Sequence, residues 1–203
     1  MPKISEKRMQ ERREHIIDVA FELFAERGYS ATGLRSIMEA AYISKGGIYV
    51  YFKCKADILL AIINRFDKKR HDITKELDPS TPADTMMAHY IRRRLKAFQL
   101  DENQKYARLA LEFWSLPSII PGLSDILAKR YRDYQMNIKR IILRGIDEGI
   151  FHVDRPVDDI VGSIMSTIDG AGSLSSMGHV VSDGQIEATV ATYLTYLKGA
   201  SHD

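Results

Sequence analysis

Proline, the residue that breaks α-helices most strongly, is absent from the 76 residues between Pro2 and Pro79. Apolar residues in this stretch recur at three- and four-residue spacing, which is the period of an amphipathic α-helix. Alternating, strand-like patterns are almost absent from the whole chain. The sequence therefore predicts an all-α protein. Its later prolines, in DPSTP, SLPSIIPG and EGIFHVDRP, mark breaks between helices.

The chain has 203 residues, of which 45% are apolar and 28% are charged, so it is large enough to bury a substantial core. Its longest apolar runs, such as Ile58 to Ile63, are far too short to span a bilayer. The charged N-terminus lacks the apolar stretch of a signal peptide, so we expect a cytoplasmic protein without a membrane partner. The single cysteine, Cys54, excludes an internal disulfide framework and a multi-cysteine metal site.

Positive charge is concentrated at the N-terminal end of the chain. Residues 1–70 contain 14 Lys and Arg against 9 Asp and Glu, whereas residues 71–203 contain 15 against 18. This asymmetry is typical of an end that faces nucleic acid, although a solvated helical face carries the same excess. We expect residues 1–9 to form a flexible basic arm, which either extends a DNA footprint or is simply a solvated tail.

The first seventy residues are predicted to form four helices. The first has a broad apolar stripe and stops at Gly28, and the fourth covers about residues 56–76. Between them, Thr32 and Ser44 are placed to cap two helices that are shorter than ten residues. Helices this short are not stable alone in water, so they must pack on the longer two. This arrangement is a helix-turn-helix, with its motif at residues 33–52 in a domain spanning residues 10–70.

The segment TGLRSIMEAAYISKGGIYVYFKCK, Thr32 to Lys55, resembles the TetR family of bacterial transcriptional regulators. The matching positions of the pattern are Leu23, Phe24, Gly28, Thr32, Ile37, Ala41, Ile43, Ser44, Lys45, Gly46, Ile48, Tyr49, Tyr51, Phe52 and Lys55. The resemblance covers residues 10–70 closely. Beyond them it rests on helix layout and on DEGIFHVD, which is similar to the turn before that family's dimer helices. It implies a homodimer that represses nearby genes until a small molecule releases it.

A short helix in the major groove reads bases with its N-terminal part, while neighbouring groups hold phosphates. On this basis Lys45 is expected to reach a base or a phosphate, and Tyr49 to stack on sugar or reach a phosphate. The full set of predicted DNA-binding residues is Thr32, Arg35, Ser44, Lys45, Gly46, Gly47, Tyr49, Tyr51 and Lys55. For Tyr49 and Tyr51, partial burial in the small domain's core is the alternative.

Two residues of the motif depart from the TetR pattern. Tyr42 stands where the family usually has glycine, and a positive φ there costs of order 1 kcal/mol or more. Gly47 stands where a small or hydroxylated residue is commoner, and each glycine of the Gly46–Gly47 pair costs about 1 kcal/mol inside a helix. We expect the missing Cβ atoms to let the helix approach a phosphate closely; the alternative is a helix that begins later.

Residues 71–203 are predicted to form a helical ligand-sensing and dimerisation domain. Its helices are expected at about 83–100, 103–115, 123–148, 156–177 and 183–199. The last two are rich in small residues, which allow another helix to approach closely and so favour a subunit interface over an interior pair. The predicted dimer-interface residues are Gly162, Met165, Gly170, Ala188 and Ala191.

Large, adaptable side chains are dense in the middle of the chain and suit an apolar or cationic aromatic ligand. The predicted pocket residues are Met86, Tyr90, Phe98, Tyr106, Glu112, Phe113, Trp114, Tyr131 and Tyr134. A plain hydrophobic core is the alternative for each of them. Glu112 is either a buried acid for a cationic ligand or an exposed one at the helix edge.

Catalysis is not expected. The six histidines form no HExxH motif, Cys54 has no neighbouring base in sequence, and a helix-capping turn explains His152 and Asp154 better than a metal site does. We therefore predict no cofactor and no metal. The remaining alternative is a sequence-nonspecific, nucleoid-associated DNA-binding protein without a ligand.

Overall fold

The computed structural model describes residues 6–70, 77–112, 116 and 119–199. All the regular structure in these ranges is helical, which confirms the predicted all-α class. The elements are α1 (Glu6–Arg27), α2 (Leu34–Ala40), α3 (Lys45–Tyr49), α4 (Lys55–Arg70), α5 (Ala83–Lys96), a 3-10 turn (Ala97–Gln99), α6 (Asp101–Glu112), α7 (Leu123–Asp147), α8 (Val157–Ser176) and α9 (Asp183–Lys198). No helix in this described part is long and apolar enough to cross a membrane.

The chain divides into two compact units. The first, here called the N-terminal unit, comprises Met1–Arg70 together with Leu109–Ile120. The second, here called the body, comprises His71–Arg108 and Pro121–Asp203. The last residues of α6 pack with the first seventy residues, which is not predicted from the sequence. As a result, α6 begins in the body and ends in the N-terminal unit.

The N-terminal unit is built on the contact between α1 and α4. Both helices bury one apolar face, and the rings of Phe21 and Phe66 lie 5.2 Å apart between them. Each short helix anchors itself with a single fully buried side chain, Ile37 from α2 and Ile48 from α3. Because each short helix buries so little, its remaining surface stays available for a partner.

Local sequence signals explain most helix ends in the N-terminal unit. Gly28 ends α1 with a φ of +82°, as its position predicts. The backbone N–H of Gly47 donates to Ser44 Oγ at 3.1 Å, which confirms Ser44 as the cap of α3. The prediction that Thr32 caps α2 is wrong, because Gly33 holds that position without a side-chain bond. Residues 6–9, expected in a flexible arm, belong instead to α1.

In the body, α5 packs against α7, α8 and α9 around one apolar core. Side-chain hydrogen bonds from α7 and the residue after it hold the segment that leads into α5. Glu148 accepts from the backbone N–H of Ala83 at 2.9 Å, and Arg144 donates to the carbonyls of Pro79 and Thr81 at 2.8 and 2.9 Å. The predicted helices of the body are present to within a few residues at each described end.

Candidate nucleic-acid interface

Helix α3 presents its N-terminal end to solvent. Lys45, Gly46 and Tyr49 are exposed, and Tyr49 keeps 47% of its surface accessible. Ile48 between them is completely buried, so it fixes the rotation of the helix about its own axis. Ser44 caps the first turn of the helix. The exposed side of the helix carries the Lys45 ammonium group, the backbone of Gly46 and the Tyr49 phenol.

The two glycines of α3 have different environments. A Cβ added to Gly46 would meet nothing within 4 Å, so nothing inside the chain requires a glycine there. A Cβ added to Gly47 would lie 2.8 Å from Ile43 Cγ1 and 3.2 Å from Ser44 Oγ. Gly47 is therefore explained by packing within the chain, and only Gly46 is left for a close approach from outside.

The turn between α2 and α3 contains a strained residue at the position where the family usually has glycine. Tyr42 has a φ of +50°, so the cost that the sequence attaches to a positive φ there applies. Its side chain is 88% exposed, and its carbonyl accepts a hydrogen bond from Arg12 Nη2 at 2.9 Å. The bond from α1 to the turn helps to hold this backbone conformation in place.

Two predicted contacts at the start of α2 differ in accessibility. Arg35 is exposed and pairs with Glu39, four residues along the helix, at 2.8 Å. Thr32 is 1% exposed, and its hydroxyl donates to the carbonyls of Gly28 and Leu23 at 2.8 and 3.3 Å. The expectation that the Thr32 side chain reaches DNA is corrected: it closes the end of α1 from inside the unit.

Lys55 is held by the segment that follows α1. Its Nζ donates to the carbonyls of Tyr29 and Thr32 at 2.7 and 2.8 Å and lies 4.1 Å from the centroid of the Tyr29 ring. Because an ammonium group has three N–H bonds, only one remains for a DNA phosphate. Burial lowers the pKa of Lys55, and the negative charge of Glu112 opposes that effect. Tyr51, nearby in sequence, is half-buried.

The predicted pocket residues fall into three groups. Met86, Tyr90, Phe98 and Tyr106 are buried in the body, where Tyr134 is half-buried and Tyr131 is 44% exposed. Glu112 belongs to the N-terminal unit, so the idea that it serves a ligand pocket in the body is corrected. Phe113 and Trp114 lie outside the described residues.

The predicted dimer residues also divide by exposure. Gly170, Ala188 and Ala191 are exposed, and Gly162 and Gly170 have open space where a Cβ would stand. Met165 is 4% exposed and lies in the body's own core, so its expected place at a subunit surface is corrected. Exposed apolar side chains that the sequence did not single out, Leu174 and Met177, continue the same surface at the end of α8.

Two short helices anchored by one isoleucine each, with a capped and exposed α3, define a helix-turn-helix protein of the DNA-binding class. Comparison with known proteins agrees. Residues 16–62 match the model of the bacterial regulatory proteins of the tetR family. Residues 16–62 therefore carry the pattern of the TetR family, and the chain is similar to transcriptional regulators of that family.

Individual relatives match part of the chain. The chain is 34% identical over 86 residues to the HTH-type transcriptional regulator AcrR of Shigella flexneri, covering 42% of this chain and 40% of that protein. It is 31% identical over 110 residues to the HTH-type regulator YuxN of Bacillus subtilis (strain 168), covering 54% and 37%. The chain therefore spans about two fifths of the length of these relatives.

The whole fold also matches a solved structure. A regulatory protein of the tetR family from Rhodococcus RHA1 superposes with a TM-score of 0.75 at 25% sequence identity. The match covers 94% of this chain and 98% of that one. The helical arrangement beyond the helix-turn-helix is thus shared with the family, although few of its residues are.

Proposed function

We propose that the protein is a cytoplasmic, homodimeric repressor that binds a pseudo-palindromic operator through residues 33–52 and leaves it when a small molecule binds the body. The observation that carries this proposal is the exposed end of α3, where Lys45, Gly46 and Tyr49 face solvent. The buried side chain of Ile48 fixes the rotation of the helix about its axis. This arrangement suits reading base edges from the major groove.

The DNA-binding residues we propose have two roles. Lys45 reads a base edge or a phosphate from the mouth of α3, and Gly46 lets the backbone come close to the DNA. Arg35, Tyr49, Tyr51 and the remaining N–H of Lys55 hold the backbone, and Ser44 and Gly47 shape the helix that carries them. Thr32 supports the interface indirectly, because its hydroxyl donates a hydrogen bond to the Gly28 carbonyl at the end of α1.

A homodimer is supported by the surface of α8 and α9. Gly162, Gly170 and Leu174 follow one another at multiples of four residues, and they lead to Met177, which is 68% exposed. Ala188 and Ala191 supply small side chains on α9. Small residues let two helices approach, and exposed apolar residues favour burial against a second copy. A two-fold axis then requires two half-sites about one DNA turn, roughly 34 Å, apart.

Release by a ligand requires an element that senses the body and acts on the N-terminal unit. The fourth helix, expected at about 56–76, is one candidate for this element, but α4 is described only to Arg70 and lies in the N-terminal unit. Helix α6 is a second candidate, because it begins in the body and its last residues belong to the N-terminal unit. We propose that a ligand in the body shifts α6 and, through Glu112, the segment after α1. The ligand shifts DNA binding only by its differential affinity for the two conformations.

Selection of bound sequences from random DNA tests the proposal. We expect one short pseudo-palindrome, and footprinting on it should protect a single site. Uniform coating of any duplex would instead support a nonspecific, nucleoid-associated protein without a ligand. Within the selected site, Lys45→Ala should relax preference at one base position by about 1–3 kcal/mol if Lys45 reads a base. Equal loss on every sequence would assign Lys45 to a phosphate.

A further inference from the structure

The body contains a group of arginine and tyrosine side chains that its own packing does not explain. We call Tyr90, Arg94, Arg130 and Tyr134 the arginine–tyrosine cluster. Tyr90 and Arg94 lie one turn apart on α5, and Arg130 and Tyr134 lie one turn apart on α7. The guanidinium carbons of Arg94 and Arg130 are 4.5 and 5.8 Å from the centroid of the Tyr134 ring. Two cations therefore reach the same aromatic ring.

Arg94 is the member of the cluster that lacks both a hydrogen-bond acceptor for its Nε and an ion-pair partner among the described residues. Its Nε is buried, and nothing in the described part of the chain accepts a hydrogen bond from it. No ion pair of Arg94 with a carboxylate is found among the described residues, and its guanidinium group stacks on Tyr134. A buried N–H without an acceptor is costly, and a cation–π contact does not replace the missing acceptor.

The carboxylate near the cluster, Asp169, is bonded to a group outside it. Arg130 donates to the Tyr106 hydroxyl at 2.6 Å, and Asp169 accepts from the Tyr131 hydroxyl at 2.8 Å. Burial and the bond to Asp169 raise the pKa of Tyr131 to about 12, so this phenol stays neutral at physiological pH. Tyr90 is 2% exposed, and burial raises its pKa; the charge of Arg94 lowers that pKa, while Tyr134 and Asp169 raise it.

The cluster also borders the apolar core. Tyr90 belongs to that core, and Tyr134 packs against it. Phe98 follows Arg94 by four residues, and its ring approaches α8 where Gly172 has no Cβ to obstruct it. A molecule held here would thus meet a guanidinium fork at one end and apolar side chains along its length. A guanidinium fork matches the two oxygens of a carboxylate.

We propose that the arginine–tyrosine cluster binds the carboxylate of a small ligand with an apolar body, with Arg94 as the ion-pair partner. The inference rests on the proposed ligand-responsive function and makes its ligand class specific. It replaces the cationic aromatic ligand suggested by the sequence, because that idea depended on Glu112, whose carboxylate is bonded within the N-terminal unit.

Calorimetry on the DNA-free protein tests the ligand class directly. The probes are decanoate and 4-phenylbutyrate, each compared with the alcohol and the amine that have the same apolar body. We expect at least one carboxylate to bind tenfold or more tightly than its alcohol, which corresponds to 1.4 kcal/mol, and more tightly still than its amine. Absence of that advantage for both carboxylates, including absence of binding, would overturn the proposal.

Variants at position 94 separate a binding role from a structural one. Arg94→Met should weaken carboxylate binding about tenfold and leave alcohol binding within about twofold, while the exposed neighbour Arg93→Met should change neither. Because Arg94→Met removes a buried N–H that has no acceptor, it should also raise the melting temperature of the ligand-free protein, by about 2–4 °C. A lower melting temperature with unchanged carboxylate affinity would show that Arg94 is structural.

Failure of this proposal is distinguishable from failure of the proposed function. Operator binding by Arg94→Met should equal that of the wild type in the absence of probe, because Arg94 lies in the body. If the wild type binds no specific DNA but still prefers the carboxylate, the regulator function fails and the ligand class stands. If it binds an operator and shows no carboxylate preference, the ligand class alone fails.

Discussion

Both carboxylate oxygens of Glu112 accept the backbone N–H of Tyr29, each at 3.1 Å. The contact joins residues 83 positions apart in the sequence and attaches the end of α6 to the segment that follows α1. Gly28 fits beside it because it lacks a Cβ, which would lie 2.9 Å from Glu112 Oε1. On its other side, the Tyr29 carbonyl accepts from Lys55, so one peptide segment is held by an acid and a base.

Removing the Glu112 carboxylate should therefore weaken the N-terminal unit. Glu112→Ala leaves the Tyr29 N–H without its charged acceptor, and we expect a loss of about 1–3 kcal/mol in the free energy of unfolding. Urea denaturation measures it. Glu26→Gln, which neutralises an exposed carboxylate near the end of α1, is the matched control and should change stability by less than about 0.5 kcal/mol. Equal effects of the two variants would contradict a specific role for Glu112.

The titration of Lys55 should respond to the same acid. Burial lowers the pKa of Lys55, and the charge of Glu112 opposes this, so Glu112→Gln should lower the pKa further. A lowered pKa means that the unfolded chain binds the proton more tightly, so the stability due to Lys55 rises as pH increases through its folded-state pKa. NMR of the Lys55 side chain in the two proteins measures the shift. An unchanged pKa would show that the two charges do not interact.

The positive φ of Tyr42 gives a stabilising substitution. Tyr42→Gly removes the strain of a left-handed tyrosine, and we expect the free energy of unfolding to increase by about 1 kcal/mol. The matched control is Tyr49→Gly, because Tyr49 is also an exposed tyrosine but lies inside a helix. That variant should lose about 1 kcal/mol. Thermal denaturation of both variants tests the opposite signs, and a loss for Tyr42→Gly would show that its ring stabilises the turn.

Alanine at the two glycines of α3 should separate stability from DNA binding. Gly47→Ala places a Cβ against Ile43, and we expect it to destabilise the fold by about 1–2 kcal/mol. Gly46→Ala has open space and gains helix propensity, so it should stabilise the fold by up to about 1 kcal/mol. If the DNA backbone approaches position 46, the same variant should bind the operator more weakly. Fluorescence anisotropy with the selected operator measures this, and unchanged affinity would remove Gly46 from the interface.

A charge on the small-residue surface of α8 and α9 should separate the subunits. We expect Ala191→Glu to give monomers that keep their helicity but bind the full operator more weakly, because each monomer reaches one half-site. Sedimentation and circular dichroism measure assembly and helix content. Ser124→Glu, at the exposed start of α7, adds the same side chain elsewhere and should leave assembly unchanged. Monomers that bind as tightly as the wild type would refute the two-fold arrangement.

The sequence was sufficient wherever a local rule fixes the backbone. The period of the apolar residues predicted the helices, and Gly28 and Ser44 predicted two of their ends. Tyr42, in place of the usual glycine, marked the position where a positive φ would be strained. These features depend on residues within one or two turns of each other. They are visible in the sequence because helix period, capping and φ preference act over that range.

Only the tertiary structure decided which side chains of the motif face outward. Thr32 has the sequence position of a cap and a phosphate contact, yet its hydroxyl is turned back to α1. Gly46 and Gly47 are adjacent and chemically identical, and only the position of Ile43 tells them apart. Met165 has the spacing of an interface residue and is buried in its own subunit. Burial depends on packing between helices, which the sequence of one helix does not specify.

The same limit applies to charged groups. Glu112 lies among apolar residues in LALEFWS and Arg94 lies in an amphipathic helix, and neither setting specifies a partner for the charge. Glu112 meets its partner 83 residues away, and Arg94 meets an aromatic ring but no acid in the described part of the chain. The sequence thus determined the helices and the DNA-binding motif through short-range rules. Long-range packing decided which charges are matched, because electrostatic partners are set by distance in space.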